Sequence, residues 1–207
     1  MSIAIIDYGA GNLRSVEKAF QQVGAAAEVT KDKNTIRGAK GIVFPGVGSF
    51  DAAIKELRAL SLEGVIEEAI ALGKPFLGIC LGMQHLFEAS EEGKEKGLAI
   101  LPGSVKKFNF AGSPWSNLSI PHMGWNRLLI KRRAPIFEGI EDGTMFYFAH
   151  SYYATPRDEQ IVATRTDYGI EFVSAVWKDN IYGIQFHPEK SGEKGLRVLK
   201  NFGGLCK

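Results

Sequence analysis

The sequence has little cysteine and little excess of either charge. Its 207 residues hold two cysteines, neither in a Cys-x-x-Cys pattern, so neither a disulfide framework nor a zinc site is predicted. The sequence has 25 lysines and arginines and 23 acidic residues. The resulting formal net charge of +2 does not indicate a surface that binds nucleic acid or an acidic membrane. We expect no metal and no cofactor.

Long hydrophobic runs are also missing. No segment has the length of a transmembrane helix, and the opening MSIAIIDYGAGN lacks the basic region of a signal peptide. Together with the few cysteines, this favours a reducing, cytoplasmic setting with no membrane partner. The 45% of hydrophobic residues suffices for one substantial core, so we expect a single domain over residues 1–207.

The first half of the sequence alternates apolar runs with helical periodicity. Strands are predicted at Ser2 to Asp7, Ala27 to Thr30, Gly41 to Phe44 and Phe76 to Ile79, and helices at Asn12 to Val23, Phe50 to Leu60 and Leu62 to Leu72. This rhythm is typical of an α/β fold with an open, mostly parallel central sheet flanked by helices.

The second half consists mainly of strand-like segments separated by polar or Gly/Pro turns. They are Ser104 to Phe110, Trp125 to Ile130, Thr144 to Ala149, Ile161 to Thr166, Phe172 to Trp177 and Ile181 to Phe186, and a closing helix is predicted at Glu193 to Phe202. An antiparallel section added to the parallel sheet is therefore expected.

Cys80 lies in the pattern Gly78-Ile79-Cys80-Leu81-Gly82, between a predicted strand and a predicted helix. This is the cysteine counterpart of a nucleophile elbow, in which glycines relieve crowding at a tight turn. The N–H groups at the start of the helix would favour a thiolate, and the Leu81 N–H could face a developing oxyanion. By itself, the pattern fits a buried packing cysteine as well as a nucleophile.

A nucleophilic cysteine needs a base, and the sequence offers four histidines. His85 lies on the elbow helix and is interpreted as a packing or surface residue, while His122 and His150 could line a site but have no adjacent carboxylate. His187 does have one: Pro188 keeps it extended, and Glu189 follows two positions on, where an extended chain returns to the same side. His-Pro-Glu alone could be a plain turn, but together with the elbow cysteine it predicts a nucleophile–base–orienter triad.

A third segment supports acyl transfer. Pro45-Gly46-Val47-Gly48 directly follows a predicted strand, and such a turn can aim a backbone N–H into a cleft at the carboxyl ends of parallel strands. An ordinary glycine-rich turn is the alternative. Neither this segment nor Gly9-Ala10-Gly11-Asn12 has the G-x-G-x-x-G spacing, so no dinucleotide site is predicted.

Taken together, PGVG, GICLGMQ and QFHPE resemble the class I (triad) glutamine amidotransferases, in the family's order and over essentially the whole chain. The resemblance implies a flavodoxin-like fold and a glutaminase that converts L-glutamine to glutamate and ammonia. It assigns Cys80 as nucleophile, His187 as base and acid, and Glu189 as its orienter. It also assigns the oxyanion hole to the N–H groups of Leu81 and, after a peptide rearrangement, Val47, and the glutamine site to Gly48, Gln84, Ser151 and Tyr152.

Four further segments are DYGAGNL, IPHMGWN, FYFAHSYY and FHPEKS. Within this family, they are similar to segments of the glutaminases that serve a (βα)₈-barrel cyclase in histidine biosynthesis. That resemblance implies a heterodimer in which ammonia passes to the cyclase, which forms imidazole glycerol phosphate and AICAR from phosphoribulosyl-formimino-AICAR-phosphate. Residues Asn12, Trp125, Tyr147 and Lys190 would face the cyclase.

Three other interpretations stay open on the sequence alone. The chain could be the glutaminase subunit of another amidotransferase, a non-catalytic module of the same fold, or another elbow-cysteine hydrolase. The presence of Cys80, His187 and Glu189 argues against a non-catalytic module, and PHMGWN with HSYY argues against the other hydrolases.

Overall fold

The computed structural model describes residues 3–9 and 11–207, so Ser2 of the first predicted strand and Ala10 of DYGAGNL lie outside the described residues. The helices are α1 (Leu13–Gln22), α2 (Lys33–Gly38), α3 (Phe50–Ala59), α4 (Glu63–Ala71), α5 (Leu81–Gln84) and α6 (Gly192–Leu205). The strands are β1 (Ile3–Ile6), β2 (Ala27–Thr30), β3 (Gly41–Gly46), β4 (Phe76–Cys80), β5 (Ala89–Ser90), β6 (Gly103–Lys107), β7 (His122–Arg127), β8 (Leu129–Ile130), β9 (Met145–His150), β10 (Tyr152–Pro156), β11 (Val162–Asp167), β12 (Glu171–Lys178) and β13 (Ile181–Ile184).

Eleven of the described strands form one sheet, whose main path has the order β2-β1-β3-β4-β13-β12-β10-β6-β5. Five neighbouring strands of this path are parallel: β2, β1, β3, β4 and β13. By contrast, β12 runs antiparallel to β13, and β10 runs antiparallel to β12 and β6. A branch of β11 and β8 leaves the path at β12, and β7 pairs with β9 in a separate antiparallel ribbon. The predicted α/β fold, with an antiparallel section joined to a parallel one, is confirmed.

The parallel strands bury both faces because their side chains alternate. Ala4 and Ile6 of β1 belong to one apolar cluster with residues of α2, α3 and α4, while Ile3 and Ile5 belong to a second cluster with residues of α1 and α6. Such continuous apolar runs are typical of parallel strands covered by helices on both sides. The helices therefore hold the sheet rigidly, and loops at its carboxyl edge can carry side chains for chemistry.

Several elements differ from the sequence prediction. The helix expected after Cys80 is only four residues long, because the carbonyl groups of residues 85–87 accept hydrogen bonds from the backbone of residues 98–101 instead of continuing the helix. The predicted strand Trp125 to Ile130 is divided: β7 begins earlier, at His122, and pairs with β9, whereas β8 pairs with β11. Helix α2 and strand β10 were not predicted.

Three neighbouring strands end at the same edge of the sheet. β3 ends at Gly46, β4 ends at Cys80 opposite it, and β13 leads directly into Gln185 and His187. All three predicted catalytic segments therefore meet there, which is the usual position of a ligand site in an open parallel sheet. Within residues 3–9 and 11–207, no helix combines the length and the apolar character needed to cross a membrane.

Candidate active site

Cys80 occupies a strained turn between β4 and α5. Its φ of 54° and ψ of −109° lie in a region that residues with a side chain rarely adopt. The turn depends on its glycines: a Cβ on Gly82 would lie 1.7 Å from the carbonyl oxygen of Phe44, and one on Gly78 would lie 2.7 Å from that of Gly82. The structure thus explains both glycines of the elbow pattern by close backbone approach.

His187 and Glu189 form the second part of the site. His187 Nδ1 lies 2.8 Å from Glu189 Oε1, and both side chains are almost completely buried. As predicted, Pro188 follows an extended His187, with φ −101° and ψ 98°, but the two side chains meet through a 3₁₀ turn over Pro188–Lys190 rather than through continued extended chain. With Nδ1–H donating to the carboxylate, Nε2 is left to exchange a proton with Cys80.

The pKa of His187 reflects these neighbours. Burial lowers it, but the negative charge of Cys80, a hydrogen bond with that sulfur and the bond to Glu189 together raise the pKa to about 10. These interactions favour a protonated imidazole next to the Cys80 sulfur, an arrangement that can activate a cysteine.

Asn12 supports the same carboxylate. Its Nδ2 donates to Glu189 Oε1 at 2.5 Å, so this oxygen holds both Asn12 and His187. Glu189 Oε2 is buried and has no hydrogen-bond partner among the described residues. The sequence resemblance places Asn12 at a partner-facing surface, and the structure adds a direct contact with the Glu189 carboxylate.

A cavity of about 210 Å³ opens in front of Cys80. It is lined by the predicted oxyanion residues Val47 and Leu81, the predicted substrate residues Gly48, Gln84, Ser151 and Tyr152, and further by Glu92, Pro121, Met123, Ala149 and His150. Every residue that the resemblance assigns to glutamine or to the oxyanion therefore lies at one cavity. The N–H donors of the oxyanion hole remain a prediction.

The PGVG segment is anchored at its first residue. The hydroxyl of buried Tyr8 donates to the carbonyl oxygen of Pro45 at 2.8 Å, and a Cβ on Gly46 would come within 2.3 Å of that hydroxyl. Beyond this anchor, Val47 is 36% exposed and Gly48 has a φ of 108°. The segment is therefore fixed at Pro45 and less constrained where it reaches the cavity.

The structure adds two polar residues that sequence reasoning missed. Glu92 reaches the cavity from the loop after β5, where its Oε2 accepts a hydrogen bond from the Phe50 N–H at 3.1 Å; burial raises the pKa of this carboxyl, and that bond opposes the rise. Gln185, fully buried, donates from Nε2 to Cys80 Sγ at 3.5 Å. A local signal existed only for Gln185, which stands two positions before His187 on an extended segment.

Comparison with known proteins agrees with this geometry. The family model of class-I glutamine amidotransferases matches residues 4–204. The chain belongs to the class-I glutamine amidotransferase family.

Its curated relatives cover nearly its full length. A protein of Moorella thermoacetica is 48% identical over 99% of this chain and 95% of its own length, and one of Geobacter sulfurreducens is 51% identical over 98% of each. Another, from Syntrophotalea carbinolica, is 50% identical over 98% of this chain and all of its own. All three are named imidazole glycerol phosphate synthase subunit HisH.

Solved structures share the fold at low identity. A glutamine amidotransferase crystal structure gives a TM-score of 0.77 with 19% identity, covering 100% of this chain and 99% of the other. PurLQS from Thermotoga maritima gives 0.76 with 20% identity over the same shares. These likenesses support the class-I amidotransferase fold.

In this amidotransferase, three of the four residues expected to face a partner are in contact with one another, and the fourth, Asn12, bonds to Glu189. Trp125 and Tyr147 are paired across β7 and β9, with their ring centroids 6.3 Å apart, and Lys190 Nζ lies 5.8 Å from the Tyr147 ring. Trp125 is 53% exposed. The Tyr147 carbonyl accepts the His187 N–H at 2.9 Å, so the ribbon that carries the exposed Trp125 is bonded directly to the predicted catalytic base.

Proposed function

We propose that this chain is the glutaminase subunit of an imidazole glycerol phosphate synthase. It hydrolyses L-glutamine to glutamate and ammonia in the cytoplasm, and passes the ammonia to a (βα)₈-barrel cyclase subunit for histidine biosynthesis. The observation that carries the proposal is the contact of His187 with both Cys80, which lines the cavity, and Glu189, in a chain about half identical to HisH subunits over nearly its full length.

The first half of the reaction forms a thioester. His187 Nε2 takes the Cys80 proton, and the thiolate attacks the side-chain carboxamide carbon of glutamine, whose π electrons move to the oxygen. Backbone N–H groups of Leu81 and, after rearrangement of its peptide, Val47 stabilise this oxyanion. The imidazolium then protonates the amide nitrogen, the C–N bond breaks, and ammonia leaves behind a γ-glutamyl thioester.

The second half restores the enzyme. His187 takes a proton from water while the water oxygen attacks the thioester carbon, and a second oxyanion forms in the same hole. Its collapse breaks the C–S bond and releases glutamate, so that the thiolate and the imidazolium are regenerated together. Glu189 holds the ring in one orientation throughout, because its bond to Nδ1 fixes the tautomer.

Glu92 is the residue we assign to the α-ammonium group of glutamine. It is a carboxylate on the cavity wall, and an ammonium ion is the part of the substrate that such a group recognises. Replacing Glu92 by Gln should raise KM for glutamine about tenfold with a much smaller change in kcat, because a charge-assisted bond is lost at a distance from the reacting carbon.

The control for Glu92→Gln is Glu91→Gln. Glu91 is the exposed neighbour, whose Oε2 accepts the Lys107 N–H and which does not line the cavity. Steady-state kinetics in the presence of the cyclase measure both variants. An unchanged KM in Glu92→Gln, or an equal rise in Glu91→Gln, would contradict the assignment.

The cyclase would dock over the group formed by Asn12, Trp125, Tyr147 and Lys190. This position suits ammonia transfer, since ammonia released into water at neutral pH would be protonated and lose its nucleophilicity. It also suits control of activity, because the ribbon of β7 and β9 is bonded to His187. We expect the isolated chain to hydrolyse glutamine far more slowly than the complex does; equal rates would contradict this coupling.

The central test separates the two activities of the complex. Cys80→Ala should abolish synthesis of imidazole glycerol phosphate from glutamine, a loss of at least about a thousandfold, and leave synthesis from added ammonium salt intact. Cys206→Ala is the matched control, since Cys206 is the other free cysteine and follows α6, away from the cavity. Loss of both activities in Cys80→Ala, or of neither, would refute the proposal.

A further inference from the structure

Gln185 is a buried polar residue that neither the triad nor the substrate assignment uses. It follows β13, has no exposed surface, and its backbone N–H donates to the carbonyl oxygen of Ser174 at 2.9 Å. A buried amide is costly unless its donors and acceptor are all bonded, so its partners indicate what it does.

The orientation of the Gln185 amide follows from its neighbours. Gln84 lies 3.1 Å from the Tyr152 carbonyl oxygen, which can only accept, so the nitrogen of the Gln84 amide must face it. The same nitrogen lies 3.1 Å from the end of the Gln185 side chain, so the Gln185 atom that faces it must be the amide oxygen, Oε1. The remaining end of Gln185, its Nε2, is then directed at Cys80 Sγ, 3.5 Å away. The direction of donation toward the sulfur is thus fixed by a backbone carbonyl rather than assumed.

The other polar neighbours of the sulfur act differently. The carbonyl oxygen of Ala149 lies 4.0 Å from Cys80 Sγ and can accept from a thiol, but it repels a thiolate. His187 exchanges the proton with the sulfur and so changes its own charge in each step. Gln185 is neutral in both states, and its N–H interacts more strongly with a thiolate than with a thiol or a thioester.

We propose that Gln185 is a positioning residue that holds the Cys80 sulfur, as a thiolate, in line with the cavity. This inference rests on the proposed glutaminase function. The Gln185 N–H stabilises the thiolate before attack and again when sulfur leaves the thioester, and it keeps the sulfur away from the Ala149 carbonyl. Because Gln185 also accepts from Gln84, a residue of the cavity wall, it ties the nucleophile to the substrate site.

Substitution of Gln185 by Met tests the inference without glutamine. Methionine has a similar length but offers no donor, so the thiolate is less favoured and the pH midpoint for alkylation of Cys80 by iodoacetamide should rise by about one unit. Glutaminase kcat in the complex at neutral pH should fall about tenfold. Gln185→Asn, which keeps an amide but is one methylene too short to reach both Gln84 and the sulfur, should shift the midpoint in the same direction.

The control is Ser174→Ala. Ser174 is buried, its hydroxyl lies 2.8 Å from that of Thr164, and its carbonyl receives the Gln185 N–H, so the change disturbs the same strands without touching the sulfur. It should lower the melting temperature and leave the alkylation midpoint unchanged. Wild-type midpoints in both Gln185→Met and Gln185→Asn, or in whichever of them folds, would overturn the inference. The proposed function fails separately, if the wild-type complex does not hydrolyse glutamine.

Discussion

His187 and His150 are both buried histidines, but the groups around their rings differ. The Nδ1 of His187 meets the Glu189 carboxylate at 2.8 Å, whereas the Nδ1 of His150 meets the Tyr152 carbonyl oxygen at the same distance. Burial, with smaller effects of the charges of neighbouring histidines, lowers the pKa of His150 to about 3, while Cys80 and Glu189 outweigh burial and raise the pKa of His187 to about 10. A buried histidine therefore holds an extra proton near neutral pH only when negative partners offset its burial.

The neutral state of His150 has a structural use. Its Nδ1–H donates to Tyr152, so its Nε2 must accept, and it lies 3.1 Å from His122 Nδ1. His122 Nε2 in turn accepts from Asn126 at 3.2 Å. Both rings make these hydrogen bonds as neutral imidazoles. This agrees with the pKa of His122, which burial lowers to about 4. This pair orders the Tyr152 carbonyl that also receives Gln84.

The same substitution at both histidines gives the largest contrast. His187→Asn should reduce glutaminase kcat at least about a thousandfold, because the proposed general base and acid is lost. His150→Asn should cost less than about tenfold, since the Asn amide can reproduce the donation of His150 Nδ1–H to Tyr152. Steady-state kinetics of the complex measure both. A similar loss in the two variants would mean that His150 takes part in proton transfer, and the contrast drawn from their pKa values would be wrong.

The difference between His187 and His150 also shows how much of the site the sequence could predict. The elbow glycines and His-Pro-Glu are local patterns, and the structure confirms the fold class and brings His187 into contact with both Cys80 and Glu189. Glu92 and the His122–His150 pair depend on contacts between segments far apart in the chain, such as Phe50 with Glu92. No local pattern encodes such contacts. The helix after Cys80 was overestimated for the same reason, because distant backbone groups, not its own sequence, end it.

His85 provides a third environment, in which the ring bonds to a backbone carbonyl. It is fully buried, its ring centroid lies 4.5 Å from that of Phe50, and its Nε2 contacts the Phe50 carbonyl at 3.1 Å. Its Nδ1 is buried and has no hydrogen-bond partner in the part of the chain that the structure describes. Burial lowers its pKa to about 4. The predicted packing role for this residue therefore agrees with its contacts.

This environment makes His85 a source of acid sensitivity. The unfolded chain binds a proton at His85 near pH 6.5, whereas the folded chain resists it until about pH 4, so stability falls as the pH is lowered between these values. His85→Phe should be less stable at pH 7, through loss of the bond to Phe50, but should lose about 2 kcal/mol less than the wild type between pH 7 and pH 4.5. Urea unfolding across this range measures the slope, and parallel curves for the two proteins would contradict the assignment.

The smallest expected effect distinguishes the two roles of Asn12. The bond from Asn12 to Glu189 is one of two that hold the carboxylate oxygen facing His187, and a hydrogen bond of about 1 kcal/mol corresponds to about a fivefold change in rate. Asn12→Ala should therefore lower glutaminase kcat about fivefold even when the cyclase is saturating. Trp125→Ala, at an exposed residue without contact to the triad, should weaken cyclase binding and leave kcat at saturation nearly unchanged. If Asn12→Ala behaved like Trp125→Ala, Asn12 would serve the interface alone, and the carboxylate would hold His187 without its help.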